Sequence, residues 1–473
     1  MKHVWPLFLM LFCSFSIGKK QENYNAARLY SVRELREDLN YLRNRYERHN
    51  PNLYLYTSPE KFDRYFDSLS EHITAPMTDM EFYRYIGSLT SFIKDGHTSV
   101  FPNDDCEWWY GDQEKFLPLL VTCNGDRIIS DLNASDDRVI PDGSEIISIN
   151  SRSSADILRI MRSYAPRDGY NTTRVNWILN NFFTYFYCYC VEDTSRFNIT
   201  YITPDGKLMQ HSQKAMAVDP MWDNAYTYYP ARYDKGRRDS ALSLRYMNDS
   251  AVAVLRIKTF DKHGFKAMGE GSFRSRIHEL FLQIATSGAQ NLIVDVRDNG
   301  GGNPEYARYV VAHLIDSDFV YIDKYKAVNR LHWNEPEQRD HVRWYPYCGI
   351  GKFHPDRPCY TGKLYVLMDG GSTSTAGDFV ACLSYYKRAV FIGEESGANK
   401  TISGGTVTEG TFELPNTHLR CRMSTIQGVN KSNVPNDGHG VIPDYHVVPG
   451  PEDYMHHRNP MLEKALELIN AKP

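Results

Sequence analysis

The stretch KLYVLMDGGSTSTAGDFVACLSYY, residues 363–386, decides how the chain is read. It opens as an apolar strand and breaks at Gly370-Gly371. It then passes four hydroxyl residues, Ser372, Thr373, Ser374 and Thr375, and continues with Ala376, Phe379, Val380 and Leu383 at helical spacing. Strand, tight turn and helix in that order form part of a βαβ unit. The helix is expected to start near Thr375, which puts Ser374 at its N-cap or first turn. Two readings stand there. A hydroxyl caps a helix, or it is a nucleophile held where the helix dipole and free N–H groups favour a developing oxyanion.

Outward from this stretch the alternation repeats. SAVAVLRI and NLIVDV read as strands, Phe273, Ile277, Leu280, Phe281 and Ile284 make one helix face, and Tyr306, Val310 and Leu314 another. Residues 240–450 are therefore expected to form an α/β core with a mostly parallel sheet covered by helices, and 451–473 a C-terminal helix or tail. Residues 105–235 read as a β-rich module with a hairpin at Asn124-Gly125 and another at Pro204-Asp205-Gly206. Its end, about 212–240, is polar and Tyr-rich and reads as a linker. Residues 24–104 read as helical: Ser31 caps Leu35, Leu39, Leu42 and Tyr46, and Ser58-Pro59 opens a second helix. Thr78-x-x-Glu81 is a capping box before Phe82, Ile86, Leu89 and Ile93, which reads as one helix stopped at Gly96.

The chain has 473 residues, 42% hydrophobic and 24% charged, with net charge −4, which fits two or three globular domains. There is no long basic run, so nucleic acid is not an expected partner. Residues 1–18 carry a basic start and an apolar run from Val4 to about Ile17, too short to span a bilayer and patterned as a signal peptide. The mature protein is expected to be exported: periplasmic or in the cell envelope, as a lipoprotein if Cys13 is acylated, or secreted. The other eight cysteines permit disulfides, with Cys348–Cys359 and Cys106–Cys123 as local candidates, or serve as small apolar residues. Cys188-x-Cys190 has no second pair, so no zinc site is implied.

A second unusual turn is DVRDNGGGN, with Gly300, Gly301 and Gly302 directly after a strand. No Gly-Lys-Ser/Thr follows, so it is not a nucleotide phosphate loop. It is either a tight βα turn or a cradle of N–H groups serving a reaction centre. A serine nucleophile needs a base and the base an orienting acid. KDGHTSVFP supplies His97 at a helix end, and NVPNDGHGVIPDYHV supplies Asp437 and His439. An imidazole titrates near neutral pH and can serve both proton transfers.

DGHT, LIVDVRDNGGG, STSTAGDF, IGEESG and GVIPD, in this order over residues 30–450, resemble the S41 peptidases: the C-terminal (tail-specific) processing proteases and the tricorn core. The resemblance implies a multidomain α/β and α+β protein with an N-terminal helical region, a PDZ-like module containing IPDGSEIISIN, and a ClpP/crotonase-like protease core. It implies a serine endopeptidase acting on peptides or unfolded protein without metal or other cofactor. In the tail-specific style a Lys downstream of the serine is the base. The matching position here is Asn399, with Lys400 next to it as the alternative base. In the tricorn style an early His is the base. That style implies Ser374 as nucleophile, His97 as base and Asp437, where the family usually has Glu, as the orienting acid. Thr375 and one of Gly300–Gly302, foremost Gly301, would supply the oxyanion hole, with Ser372 and Thr98 as supporting polar neighbours. Some proteins of this fold bind peptides or apolar ligands without catalysis, and that is the alternative function.

Overall fold

The computed structural model describes residues 24–230, 240–248, 251–267, 269, 271–328, 342–344, 346–407, 410–450, 453 and 458–471. The expected signal peptide and Cys13 lie outside them, as do parts of the expected linker and tail.

The N-terminal helices follow their caps. Helix α1 (Val32–His49) opens on the Ser31/Glu34 capping box, α2 (Pro59–His72) on Ser58 with Pro59 inside the first turn, and α3 (Asp79–Ile86) on the Thr78/Glu81 box. The third helix does not run on to Ile93 as its periodicity suggests. It stops at Gly87 and restarts as α4 (Leu89–Ile93); the Tyr164 ring lies against Gly87, where a Cβ would stand 2.4 Å from it. Lys94, in the left-handed conformation, ends α4 and turns the chain into β1 (Ser99–Phe101) and α5 (Asp104–Gly111).

The next module is an antiparallel sheet. Strands β2 (Leu119–Asn124), β3 (Arg127–Asn133) and β4 (Glu145–Ile149) precede α6 (Ser154–Arg162) and α7 (Thr173–Phe186). Strands β5 (Arg196–Ile202) and β6 (Leu208–Lys214) complete the order β2-β3-β4-β5-β6. The stretch read as a linker instead forms α8 (Val218–Tyr228). Val218, Met221, Trp222 and Ala225 lie at helical spacing and are buried, so packing overrides the polar composition.

The α/β part follows the expected alternation: β7 (Leu242–Met247), β8 (Val252–Ile257), α9 (Phe273–Ser287), β9 (Asn291–Asp295), α10 (Pro304–Ala312), β10 (Ile322–Val328), β11 (Lys363–Met368), α11 (Thr375–Tyr385) and β12 (Val390–Gly393). With the late β17 (Tyr445–His446) the sheet order is β17-β12-β11-β9-β8-β7, parallel except for edge strand β7. Val294, Val366 and Leu255 pack its interior with Phe260, Phe379 and Ile277. Helix α12 (Pro460–Asn470) covers the other face through Met461, Leu462 and Ala465.

Between β12 and β17 the chain makes β13 (Ile402–Gly405), β14 (Thr411–Glu413), β15 (Arg420–Arg422) and β16 (Ile426–Asn430). Strand β1 pairs antiparallel with β15, Ser99 opposite Arg422 and Phe101 opposite Arg420. This ladder binds the N-terminal region to the α/β part. Buried Arg420, which pairs with Asp104 and Glu107 of α5, reinforces it.

All eight cysteines among the described residues are free, and neither local pair forms. Six are buried and pack as small apolar side chains. Among these residues no helix is long and apolar enough to cross a membrane, and no three His, Cys, Asp or Glu side chains gather as a metal would require.

Candidate active site

The turn after β11 sets the geometry of Ser374. Asp369 Oδ1 accepts the amides of Gly371 and Ser372, and Ser372 Oγ donates to the Val296 carbonyl at 2.8 Å. Ser374 then stands at φ 52°, ψ −129°, a conformation that costs a non-glycine residue about 1–3 kcal/mol. It makes no cap hydrogen bond, so the capping reading of the hydroxyl fails. The strain lifts its side chain off the helix start instead of folding it onto an amide.

The glycine turn after β9 packs against this point. The Thr373 amide donates to the Asn299 carbonyl (3.1 Å) and Thr375 Oγ1 to the Gly302 carbonyl (2.8 Å). Gly301, at φ 93°, lies so close that a Cβ would stand 2.8 Å from Ser374 Cβ and 2.8 Å from the Thr375 nitrogen. Gly302, at φ 138°, is pressed on the Phe260 backbone, where a Cβ would come within 2.2 Å. The Gly301 amide donates to Asn299 Oδ1 at 2.9 Å. It is therefore occupied, which corrects its assignment as the foremost oxyanion donor. The Gly300 and Thr375 amides have no protein acceptor among the described residues, and Gly300 borders open space.

His97 reaches this site from the other end of the chain. The register of β1 with β15 fixes its position two residues before Ser99. The ring is buried, and Nε2 stands 3.1 Å from Ser374 Oγ. Burial, then the positive charge of Arg422, lowers its pKa well below the ordinary imidazole value. Asp95 acts against these, and Arg174 adds a smaller lowering. The imidazole is thus neutral at neutral pH and not half-titrated as expected.

Asp437 is not at the imidazole. Its Oδ2 accepts from Lys400 Nζ at 2.6 Å and its Oδ1 from the His439 amide, half-exposed at the surface. The side chain is one methylene shorter than Glu, and Lys400 captures it. The same ion pair removes Lys400 as a base for Ser374. His439 meets Glu395 Oε1 at 3.1 Å and takes no part at the serine.

Three buried carboxylates surround the site, and the sequence reading assigned none of them a role there. Asp95 accepts from Ser424 Oγ (2.8 Å), Asn50 Nδ2 (3.3 Å) and Thr98 Oγ1. Gly404 of β13 touches it and the ring together: a Cβ there would stand 2.6 Å from Asp95 Oδ1 and 3.0 Å from His97 Nδ1, which itself has no hydrogen-bond partner. Asp168 accepts the Gly96 amide (2.7 Å) and the Asn399 amide (3.3 Å), tying the His97 turn to the segment after β12. Burial, with Asp95 adding repulsion, pushes its pKa up to about 7. Asp369 also accepts the Asp298 amide at 3.1 Å and so ties the glycine turn to the serine turn. Burial, then Asp298, pushes its pKa up to about 8. Asp95 was visible inside DGHT itself, two residues before the histidine. Asp168 and Asp369 carry no local signature beyond an Asp-Gly turn.

Residues 251–447 match the model of Peptidase family S41. A tail-specific protease of Haemophilus influenzae is 24% identical over 203 residues, 42% of this chain and 25% of that protein, so the chain spans about a quarter of the length of the curated relative it matches. Among solved structures, mature CPAF complexed with lactacystin superposes with a TM-score of 0.68 at 14% identity, covering 93% of this chain and 98% of that one. Mature CPAF alone gives 0.67 at 14% identity, covering 93% and 97%. The α/β core of this chain is thus similar in sequence to the S41 peptidases, and the likeness in fold extends over nearly the whole chain.

Proposed function

We propose that this S41-like domain works as a serine-type peptidase, with Ser374 as nucleophile and His97 as general base. The observation that carries the reading is the 3.1 Å approach of His97 Nε2 to Ser374 Oγ, made by a strained serine and a buried neutral imidazole. Ser374 Oγ gives its proton to Nε2 as it attacks the peptide carbonyl. The resulting imidazolium is stabilised by Asp95, and it returns the proton to the leaving amine. The free Gly300 and Thr375 amides receive the oxyanion; such donors are worth about 3 kcal/mol each. Asp95 acts on the ring through its charge, without a hydrogen bond to Nδ1, and so stands nearer the role for which Asp437 was expected.

The substrate is a peptide or unfolded segment. The β2–β6 sheet is the candidate PDZ-like reader, since edge strand β6 exposes Leu208 and Met209 for strand addition. The N-terminal sequence pattern supports export to the periplasm or envelope, which cell fractionation checks. A fluorophosphonate probe and a peptide library test the activity together. Labelling and cleavage by the wild type, lost in Ser374→Ala and in His97→Ala, are expected. A wild type that neither labels nor cuts would leave the non-catalytic binder as the reading.

A further inference from the structure

Beside the serine lies a cation that the mechanism above does not use. Arg174, in the first turn of α7, is 6% exposed, yet its Nη1 is buried without a hydrogen-bond partner and its guanidinium enters no ion pair within the described residues. Its face rests on the Trp177 ring, 4.8 Å from the centroid. The turn ahead of Ser374 fixes its place. Gly370 lies against the Thr173 carbonyl and the Arg174 amide, where a Cβ would come within 2.0 and 2.8 Å, and Gly371 lies against Trp177 Nε1. Trp177 Nε1 in turn donates to Asp298 Oδ1 at 2.8 Å, in the turn that carries Gly300. The backbone of Arg174 therefore packs on the turn ahead of Ser374, and its charge reaches His97.

A buried, unpaired arginine is costly, and such groups are normally matched by a carboxylate or phosphate. The nearby acids do not supply the match. Asp168 spends both oxygens and Asp369 its Oδ1 on backbone amides, burial favours their protonated forms, and though both attract Arg174 neither forms an ion pair with it. Asp95 is held by Ser424, Asn50 and Thr98. Arg422, on β15, adds positive charge: it acts on Arg174 as well as on His97.

We propose that Arg174 docks a carboxylate of the substrate, either an acidic side chain or a free C-terminal carboxylate, beside the bond presented to Ser374. This inference rests on the peptidase reading and adds its specificity. It also couples recognition to chemistry. Without an anion, the charges of Arg174 and Arg422 weaken His97 as a base. A docked carboxylate offsets them and strengthens it, so a matching substrate gains in kcat as well as in KM.

The test uses the full chain and two pairs of peptides. In one pair an internal Asp or Glu is exchanged for Asn or Gln with the C-terminus amidated. In the other a peptide without acids carries either a free or an amidated C-terminus. Wild type is expected to prefer the carboxylate member of one pair about 10- to 100-fold in kcat/KM, the size of one charged hydrogen bond. Which pair responds tells side chain from chain end. Arg174→Met removes the preference while fluorophosphonate labelling of Ser374 persists, and Arg174→Lys keeps part of it. Anisotropy binding of the same peptides to Ser374→Ala, with and without Arg174→Met, reads the docking without turnover. Cleavage with equal rates for both members of both pairs overturns the inference and leaves the peptidase reading standing. A carboxylate preference that survives Arg174→Met also overturns it. Binding that discriminates through Arg174 in a wild type that cuts nothing supports the docking and removes the peptidase reading.

Discussion

At the residue scale, two acids and two bases compete for the roles around one serine, and position separates them. His97→Ala is expected to abolish peptide cleavage, whereas Lys400→Ala retains it, because Lys400 is spent on Asp437. Asp437→Asn removes a half-exposed ion pair, an interaction worth about 0–1 kcal/mol, and is expected to leave kcat near wild type. Asp95→Asn removes the negative charge that favours the imidazolium and is expected to lower kcat with little change in KM; parallel kinetics on the two variants decide between these acids. The pH profile follows from the depressed His97 pKa. A base works when unprotonated, so the rate falls only as pH drops through the folded pKa, below the range near 6.5 where a free imidazole titrates. A kcat/KM profile with its acid limb at 6.5 or above would contradict this. Ser374 and His97 could be singled out from the sequence because the motifs around them are local. The acid could not, because its role depends on which carboxylate the fold buries beside the ring.

At the element scale, the two strand-to-helix turns work as one device. The three consecutive glycines could be seen in the sequence, but not that each answers a different demand. Gly302 lets the chain pass the Phe260 backbone, Gly301 makes room for the Ser374 side chain, and Gly300 faces open space. Gly301→Ala is therefore expected to cost most of the activity and some stability, Gly302→Ala, with the closer backbone clash, to cost folding, and Gly300→Ala to be mild in both; kinetics and thermal melts on the three variants check the order. Elements with strong local signals, such as the boxes at Ser31 and Thr78 and the turn at Asn124-Gly125, form where the sequence places them. Elements decided by contacts escape such reading. The glycine at the Gly87 break is packed by a tyrosine far along the chain, and α8 forms because four apolar side chains find a core that the local composition does not advertise.

At the scale of the whole molecule, the site is assembled by pairing two distant strands, β1 and β15, and Arg420 is the tie beneath them. Replacing it with Met strands Asp104 and the buried Glu107 without their cation, which is expected to destabilise the protein by about 3–5 kcal/mol and to lower activity in step; denaturant unfolding beside peptide cleavage measures both. Sequence patterning reached the parallel sheet because its strands are local apolar runs, but not this ladder, whose two short strands lie more than half the chain apart. That distance also sets a clock. During synthesis the imidazole emerges first and waits while the hydroxyl, and then the strand that seats it, are still being made. A half-finished polypeptide thus carries the imidazole without the serine, and the two meet only when the last third of the chain has closed over its first.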